Sequence, residues 1–202
     1  MNEKNTIRKK IKNKLNSLSD EKKNYSKNQI AKIFFSTYIY KKAKKIFVFF
    51  PLPDEISITK IIEQCLIDKK ILFLPKINDT EMEFFQIDNN INFFEQLEKN
   101  KWNIFEPKPI LKKITITSID ENCIFLIPGL AFTKKGQRLG RGKGFYDKFL
   151  SQINNLQNIS LIGTCYDFQI IENIPTELHD IKVNYLLTEV AFSKIMHYNH
   201  EI

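Results

Sequence analysis

Two short apolar runs, each stopped by a proline, constrain the fold of this chain more than any other feature. Residues 46–50 read Ile-Phe-Val-Phe-Phe and precede Pro51, and residues 71–74 precede Pro75. Continuous runs of β-branched and aromatic residues are typical of strands that are covered on both faces. A helical pattern over about 57–68 lies between the two runs. The segment therefore predicts a strand–helix–strand unit with parallel pairing and a right-handed crossover.

The rest of the chain extends this pattern in both directions. Toward the N-terminus we predict a basic helix over 4–16 and a second helix from an N-cap at Ser19 to about residue 41. Toward the C-terminus we predict buried strands at 123–127, 159–164 and 185–188, an added strand at 82–87, short helices at 93–97 and 145–152, an extended loop at 106–109, and a final helical turn. The expected fold is α/β, with an open, mostly parallel, Rossmann-like sheet and helices on both faces.

Composition limits the class of protein further. The chain has 202 residues, 43% hydrophobic and 27% charged, so we expect one globular domain over 1–202 with an N-terminal helical segment of about 3–41. Three scattered cysteines lack the spacing of a zinc site or a redox motif. No apolar run has the length of a signal peptide or a membrane span. We predict a reduced, cytoplasmic protein that does not bind membranes.

The formal net charge of +8 favours anionic partners but decides little by itself. The chain is also rich in Lys, Asn, Ile and Phe, which AT-rich codons encode, so many lysines need no binding function.

A cluster of glycines carries the strongest functional signal. Gly136, Gly140, Gly142 and Gly144 are four of only six glycines in the chain, and they fall within nine positions. Alternating glycines allow successive backbone N–H groups to point into one concavity, and a helix follows directly. Since cationic side chains are interleaved with the glycines, the segment 136–147 predicts a cradle for polyphosphate.

The pattern matches neither of the common phosphate-binding motifs. It has no glycine five positions before Gly142-Lys143, no Ser or Thr after the lysine, and not the spacing of a dinucleotide fingerprint. A flexible basic loop, or one that touches an RNA backbone, remains an alternative. Asp147 and Asp180 have two interpretations as well: structural ion pairs near a helix N-terminus, or ligands of Mg²⁺ beside the phosphates.

The segment 128–132, Pro-Gly-Leu-Ala-Phe, followed by 136–147, Gly-Gln-Arg-Leu-Gly-Arg-Gly-Lys-Gly-Phe-Tyr-Asp, closely resembles the signature of the 5-formyltetrahydrofolate cyclo-ligase family. The resemblance covers nearly the full chain. Lys4-Asn-Thr-Ile-Arg8 resembles the N-terminal basic helix of that family, Asp54-Glu55-Ile56 its acidic motif, 102–107 its Glu-Pro loop, and His179-Asp180 its late aspartate.

The resemblance implies an ATP- and Mg²⁺-dependent closure of 5-formyltetrahydrofolate to 5,10-methenyltetrahydrofolate, with ADP and phosphate released. Phosphoryl transfer needs positioning and charge neutralisation and no nucleophilic side chain, which fits the lack of a catalytic triad motif. The implied partners are ATP and 5-formyltetrahydrofolate, with no nucleic acid and no membrane, and we expect a monomer.

The same resemblance assigns site residues. Those expected to bind ATP are Lys4, Asn5, Thr6, Ile7, Arg8, Arg138, Leu139, Gly140, Arg141, Gly142, Lys143, Gly144, Phe145 and Tyr146. Those expected to bind the folate are Phe50, Glu55, Arg141, Gly142, Lys143, Gly144 and Phe145. Asp147 and Asp180 are the expected Mg²⁺ ligands, and Arg141 and Lys143 the expected catalytic residues.

Three positions depart from the family pattern. Phe145 stands where a tyrosine is common, Asn184 where an acidic residue often occurs, and Thr133 where an aspartate is frequent. Three alternative functions stay open from the residues alone: a basic nucleic-acid-binding module, another ATP-dependent enzyme with the same loop, and a folate-binding paralogue without turnover.

Overall fold

The computed structural model describes residues 3–101, 103–120 and 123–195. Its helices are α1 (Glu3–Asn16), α2 (Asp20–Ser36), α3 (Tyr38–Lys42), α4 (Thr59–Ile67) and α5 (Phe145–Leu150), with short 3₁₀ helices at Phe94–Gln96, Ile116–Ser118, Leu156–Asn158 and Asp167–Gln169. Its strands are β1 (Lys45–Phe47), β2 (Ile71–Asn78), β3 (Glu81–Ile87), β4 (Leu97–Lys99), β5 (Phe105–Pro107), β6 (Cys123–Pro128), β7 (Ala131–Phe132), β8 (Arg138–Leu139), β9 (Ser160–Thr164), β10 (Tyr185–Leu187) and β11 (Phe192–Lys194). None of the helices in these ranges is long and apolar enough to cross a membrane.

A mostly parallel sheet forms the centre of the molecule. Within the described ranges it has seven strands in the order β11-β10-β9-β6-β1-β2-β3. The five strands from β10 to β2 are parallel to their neighbours, and antiparallel strands β11 and β3 close the two edges. The prediction of an open, mostly parallel α/β sheet is confirmed.

Alternation along β1 explains the two-sided core. Ile46 and Val48 point into the hydrophobic cluster beneath α1, α2 and α4, whereas Phe47 points into the cluster beneath α5. The Phe47 ring stacks between its two registered neighbours, Phe73 of β2 and Phe125 of β6, at centroid distances of 4.7 and 4.0 Å. Because successive strand residues face opposite sides, an uninterrupted apolar run supplies both clusters, and helices cover both faces as predicted.

Several predicted boundaries move. The second helix does not reach residue 41, because Thr37 adopts an extended conformation (φ −73°, ψ 144°), ends α2 and caps α3 by accepting from the Tyr40 N–H. Strand β2 continues past Pro75 to Asn78. It does so because β1 ends opposite Phe73, so the residues beyond pair only with β3 and no second ladder needs the missing proline N–H.

Other segments differ in kind. The stretch predicted as an extended loop at 106–109 begins within β5, which pairs antiparallel with β4. Helix α5 ends at Leu150, two residues earlier than expected. Strand β11 precedes the predicted final helical turn, and that turn and Trp102 lie outside the described residues.

The carboxyl ends of β1 and β6 open onto one edge of the sheet, where ligands collect in open α/β folds. Beyond β6 the chain forms the β7–β8 hairpin, which contains the first of the four clustered glycines, and then enters α5. Gly136 serves the fold directly. Its φ is +82°, and a Cβ built there would lie 2.3 Å from the Val183 carbonyl oxygen.

Gly136→Ala is therefore expected to lower the free energy of unfolding by about 3 kcal/mol, since a left-handed alanine and a backbone overlap add together. Gly144→Ala is the matched control, because Gly144 has φ +67° but a Cβ there would meet no other atom within 4 Å. That change should cost only about 1 kcal/mol. Urea denaturation of both variants measures the difference, and equal losses would contradict the role given to Gly136.

Candidate active site

A cavity of about 500 Å³ lies at the carboxyl ends of β1 and β6. This is the size of a small-molecule site. Its wall is built from α1, the segment after β1, the β2–β3 and β4–β5 strands, the glycine segment with the start of α5, and the loop 177–180. Segments far apart in sequence therefore meet at one concave surface.

The glycine segment adopts the backbone that its composition predicts. Gly142 has φ +105° and Gly144 has φ +67°, both in the left-handed region that favours glycine. Lys143 between them is exposed, and within the described ranges its side chain makes no ion pair. An exposed cation on a glycine-rich backbone is suited to bind phosphate.

Helix α1 holds this segment in place through Arg8. The Arg8 Nε–H donates to the Gly140 carbonyl at 3.0 Å, and its Nη1 donates to Asn5 Oδ1 at 2.6 Å. The Arg8 Nη2 lies 3.5 Å from where a Cβ on Gly142 would be. A Cβ at position 142 would therefore be in ordinary van der Waals contact with the guanidinium.

Arg141 joins the glycine segment to the acidic motif after β1. Its Nη2 lies 2.5 Å from Asp54 Oδ1, and its Nε lies 3.3 Å from Glu55 Oε1. Glu55 Oε2 also accepts from the Leu52 N–H at 3.0 Å. Burial raises the pKa of Glu55 above its ordinary value, although the Leu52 N–H and the Arg141 cation both act to lower it.

The two aspartates expected to bind a metal already have protein partners. Asp147 Oδ2 pairs with Arg138 at 2.8 Å, and its Oδ1 accepts from the Ile181 N–H at 3.1 Å. Asp180 Oδ2 accepts from the Glu177 N–H at 2.8 Å and lies 3.3 Å from Lys4 Nζ.

The carboxylates of Asp147 and Asp180 fit one kind of magnesium site. No group of three or more His, Cys, Asp or Glu side chains in the described ranges could hold a metal alone. Mg²⁺ in nucleotide sites takes one or two carboxylates and completes its shell with phosphate and water. The aspartates therefore fit Mg²⁺ that arrives with a nucleotide.

Aromatic and acidic side chains also line the cavity, and the sequence pattern did not predict most of them. Phe50 packs against Phe105 with ring centroids 5.1 Å apart. Glu106 is buried, and its carboxylate accepts from Lys76 at 2.7 Å and from Asn100 at 3.0 Å. The Glu-Pro dipeptide suggested a loop, and only the pairing of β4 with β5 brings these side chains to the cavity.

The cavity gathers most of the predicted site residues. Those on its wall are Lys4, Arg8, Phe50, Glu55, Arg138, Leu139, Gly140, Arg141, Gly142, Lys143, Gly144, Phe145, Tyr146, Asp147 and Asp180. Asn5, Thr6 and Ile7 lie off the wall, because a helix presents only residues three or four apart on one face. For these three, contact with ATP stays a prediction.

Two of the three departures from the family pattern have structural explanations. The Asn184 amide bridges strands, accepting from the Leu161 N–H and donating to the Ile159 carbonyl, both at 2.8 Å. The buried Thr133 hydroxyl accepts from the backbone N–H groups of Lys135 and Gln137 and so holds the hairpin turn. Phe145 lies on the cavity wall.

A model of the 5-formyltetrahydrofolate cyclo-ligase family matches residues 1–189. The chain belongs to this family. It is 29% identical to the 5-formyltetrahydrofolate cyclo-ligase of Mus musculus over 91% of this chain and 92% of that protein. It is 31% identical to the probable 5-formyltetrahydrofolate cyclo-ligase of Schizosaccharomyces pombe over 92% and 94% of the two chains.

Two solved structures share the fold. The 5,10-methenyltetrahydrofolate synthetase of Aquifex aeolicus superposes with a TM-score of 0.80 at 27% identity, covering 98% of this chain and 99% of that one. The Mycoplasma pneumoniae synthetase gives 0.72 at 26% identity, covering 93% and 99%. The predictions of a ligase and of a place in folate one-carbon metabolism are confirmed.

The raised pKa of Glu55 leads to a pH-dependent stability. The Glu55 pKa is near 4.5 in the unfolded chain and higher in the folded chain. Between these two values the folded chain binds more protons than the unfolded chain, so the free energy of unfolding falls as pH rises. Glu55→Gln cannot titrate, and the stability of this variant relative to wild type should increase with pH across that range. Urea denaturation from pH 4 to pH 8 measures the difference.

Glu177→Gln provides a control of opposite sign. The hydrogen bond from Lys4 holds the pKa of Glu177 below its ordinary value, so this carboxylate contributes stability that is lost as pH falls. The stability of Glu177→Gln relative to wild type should therefore decrease as pH rises. A Glu55→Gln difference that is flat or falls with pH would contradict the assignment.

Proposed function

We propose that this protein catalyses the ATP- and Mg²⁺-dependent cyclisation of 5-formyltetrahydrofolate to 5,10-methenyltetrahydrofolate, with release of ADP and phosphate. One observation carries the proposal. The cationic glycine segment and the Glu55–Phe50 end line the same cavity in a chain of the cyclo-ligase family. A phosphate-binding end and a ring-binding end in one cavity are what phosphoryl transfer to a folate requires.

The chemistry explains the need for ATP. A formamide oxygen is a poor leaving group, so N10 cannot displace it directly. Transfer of the γ-phosphoryl group to the formyl oxygen breaks the bond to ADP and forms a phosphate ester. N10 then attacks the formyl carbon and loses its proton, and the oxygen departs as phosphate. The protein has to align the groups and neutralise charge.

The glycine segment supplies the phosphate-binding end in this proposal. Backbone N–H groups around Gly142 and the Lys143 cation bind the terminal phosphates, and Arg8 keeps the segment against α1. Lys4 binds phosphate after it leaves its carboxylate partners Glu177 and Asp180. Arg141 neutralises the transferred phosphoryl group and leaves Asp54 and Glu55 to do so.

Asp147 and Asp180 hold Mg²⁺ together with the nucleotide phosphates in the same proposal. The ion would neutralise phosphate charge and fix the orientation of the γ-phosphoryl group. At the opposite end, Phe50 and Phe105 offer apolar faces to the pterin ring, and the Glu55 carboxylate accepts from ring N–H and amino groups.

The direct assay supplies ATP, Mg²⁺ and 5-formyltetrahydrofolate and follows the methenyl chromophore. We expect product only when all three are present, with one ADP released per methenyl group. ATP hydrolysis at a rate that does not depend on 5-formyltetrahydrofolate would indicate another ATP-dependent enzyme. Folate binding without turnover would indicate a non-catalytic paralogue. Binding to RNA that weakens steeply with salt, without turnover, would instead indicate the nucleic-acid-binding alternative.

Lys143→Ala tests the phosphate-binding end. Removing this cation should lower kcat by on the order of 10²- to 10³-fold, because one charge that stabilises the transition state is lost. The melting temperature should not change, since Lys143 is exposed. Lys134→Ala, an exposed lysine of the preceding hairpin turn that lies off the cavity wall, is the matched control and should keep wild-type kcat. Equal activity of both variants would remove Lys143 from the mechanism.

A further inference from the structure

The Tyr146 hydroxyl is buried and has no hydrogen-bond partner in the described ranges. Among the described residues, only two other side-chain atoms are buried without a hydrogen-bond partner, Ser26 Oγ and Asn28 Oδ1. Both belong to α2, away from the cavity wall. Tyr146 lines the cavity. Buried polar groups are nearly always paired, so an unpaired hydroxyl on a cavity wall calls for an acceptor that the protein does not provide.

A guanidinium group packs over the Tyr146 ring. The Arg138 guanidinium lies over the Tyr146 ring, with its Cζ 5.5 Å from the centroid, and the ion pair with Asp147 holds that guanidinium at 2.8 Å. A phenolic O–H is a hydrogen-bond donor, so the Tyr146 hydroxyl is available to donate to a ligand.

The position of Tyr146 in the cavity indicates which ligand atom accepts a hydrogen bond from its hydroxyl. Tyr146 follows Gly144 by two residues, and its ring lies on the same cavity wall as Glu55, which is expected to bind the folate. The phosphate end already has backbone N–H groups and cations as donors. The formyl oxygen is the folate atom that must come to the boundary between the two ends, because it receives the phosphoryl group.

We propose that the Tyr146 hydroxyl donates a hydrogen bond to the formyl oxygen of 5-formyltetrahydrofolate. This inference rests on the proposed function and adds a folate contact to a residue expected from sequence to bind only ATP. The hydrogen bond orients the formyl oxygen toward the phosphoryl group and stabilises that oxygen when it departs with the phosphate.

The hydroxyl oxygen is enclosed by protein atoms, so in this proposal the substrate reaches it through a shift of the segment that leads into α5. Gly144 allows such a shift. It precedes the helix in the left-handed conformation, and there is open space where a side chain would be.

Tyr146→Phe removes this oxygen alone, and Tyr40→Phe is the matched control. Tyr40 is a buried tyrosine whose hydroxyl already donates to Asp68, and it lies off the cavity wall. The two variants and wild type are compared by kcat/KM in the methenyl assay, by melting temperature, and by calorimetric affinity for 5-formyltetrahydrofolate, tetrahydrofolate and ADP.

The expected results separate the two tyrosines. For Tyr146→Phe, kcat/KM should fall on the order of 10²-fold, and affinity for 5-formyltetrahydrofolate should fall roughly tenfold. Affinity for tetrahydrofolate, which lacks the formyl group, and for ADP should stay the same. Its melting temperature should not fall, because no internal hydrogen bond is lost. Tyr40→Phe should show the reverse, a lower melting temperature with unchanged kcat/KM.

Four results would each overturn the inference. They are unchanged kcat/KM and 5-formyltetrahydrofolate affinity, an equal loss of tetrahydrofolate affinity, a loss of ADP affinity that accounts for the lost kcat/KM, and a fall in melting temperature like that of Tyr40→Phe. Should wild type make no methenyl product, the proposed function fails. The affinities still decide the inference, since a loss confined to the formylated ligand supports it.

Discussion

The parallel pairing of β1 with both β2 and β6 positions everything else in the candidate site. The Phe47 ring, stacked between Phe73 and Phe125, aligns the three strands so that their carboxyl ends finish at one edge. The acidic motif after β1 and the glycine segment beyond β6 then have to lie side by side. Without that alignment, Arg141 could not reach Asp54 and Glu55.

The charged side chains on the cavity wall largely pair with one another. Lys4, Arg138 and Arg141 each pair with carboxylates on the wall, whereas Lys143 stands exposed. Removing the cation from a partly buried ion pair leaves its carboxylate unpaired, which is costly. A polyanion that binds these cations must therefore come with another cation for the carboxylates that they leave. Nucleotide bound together with Mg²⁺ satisfies that requirement, which is why the paired aspartates are consistent with the proposed reaction.

The fold class could be predicted from sequence because buried parallel strands have a local sequence pattern, a continuous apolar run followed by a proline. The misplaced strand boundaries are those that a partner strand decides. Pro75 looks like the end of a strand until β3 is seen to pair with the residues around it. Residues 106 and 107, the start of the predicted loop at 106–109, instead pair with β4. Asn184, which the family pattern made notable, proves to be a bridge between strands.

The sequence by itself determined the local character of the glycine segment, because glycine conformation and interleaved cations are properties of neighbouring residues. It could not determine which side chains share the cavity wall, since that depends on helix phase and strand pairing. Helix α1 places Lys4 and Arg8 on the cavity wall and leaves Asn5, Thr6 and Ile7 off it. Only the tertiary structure leaves the Tyr146 hydroxyl without an internal partner, because burial and pairing depend on packing and not on residue type.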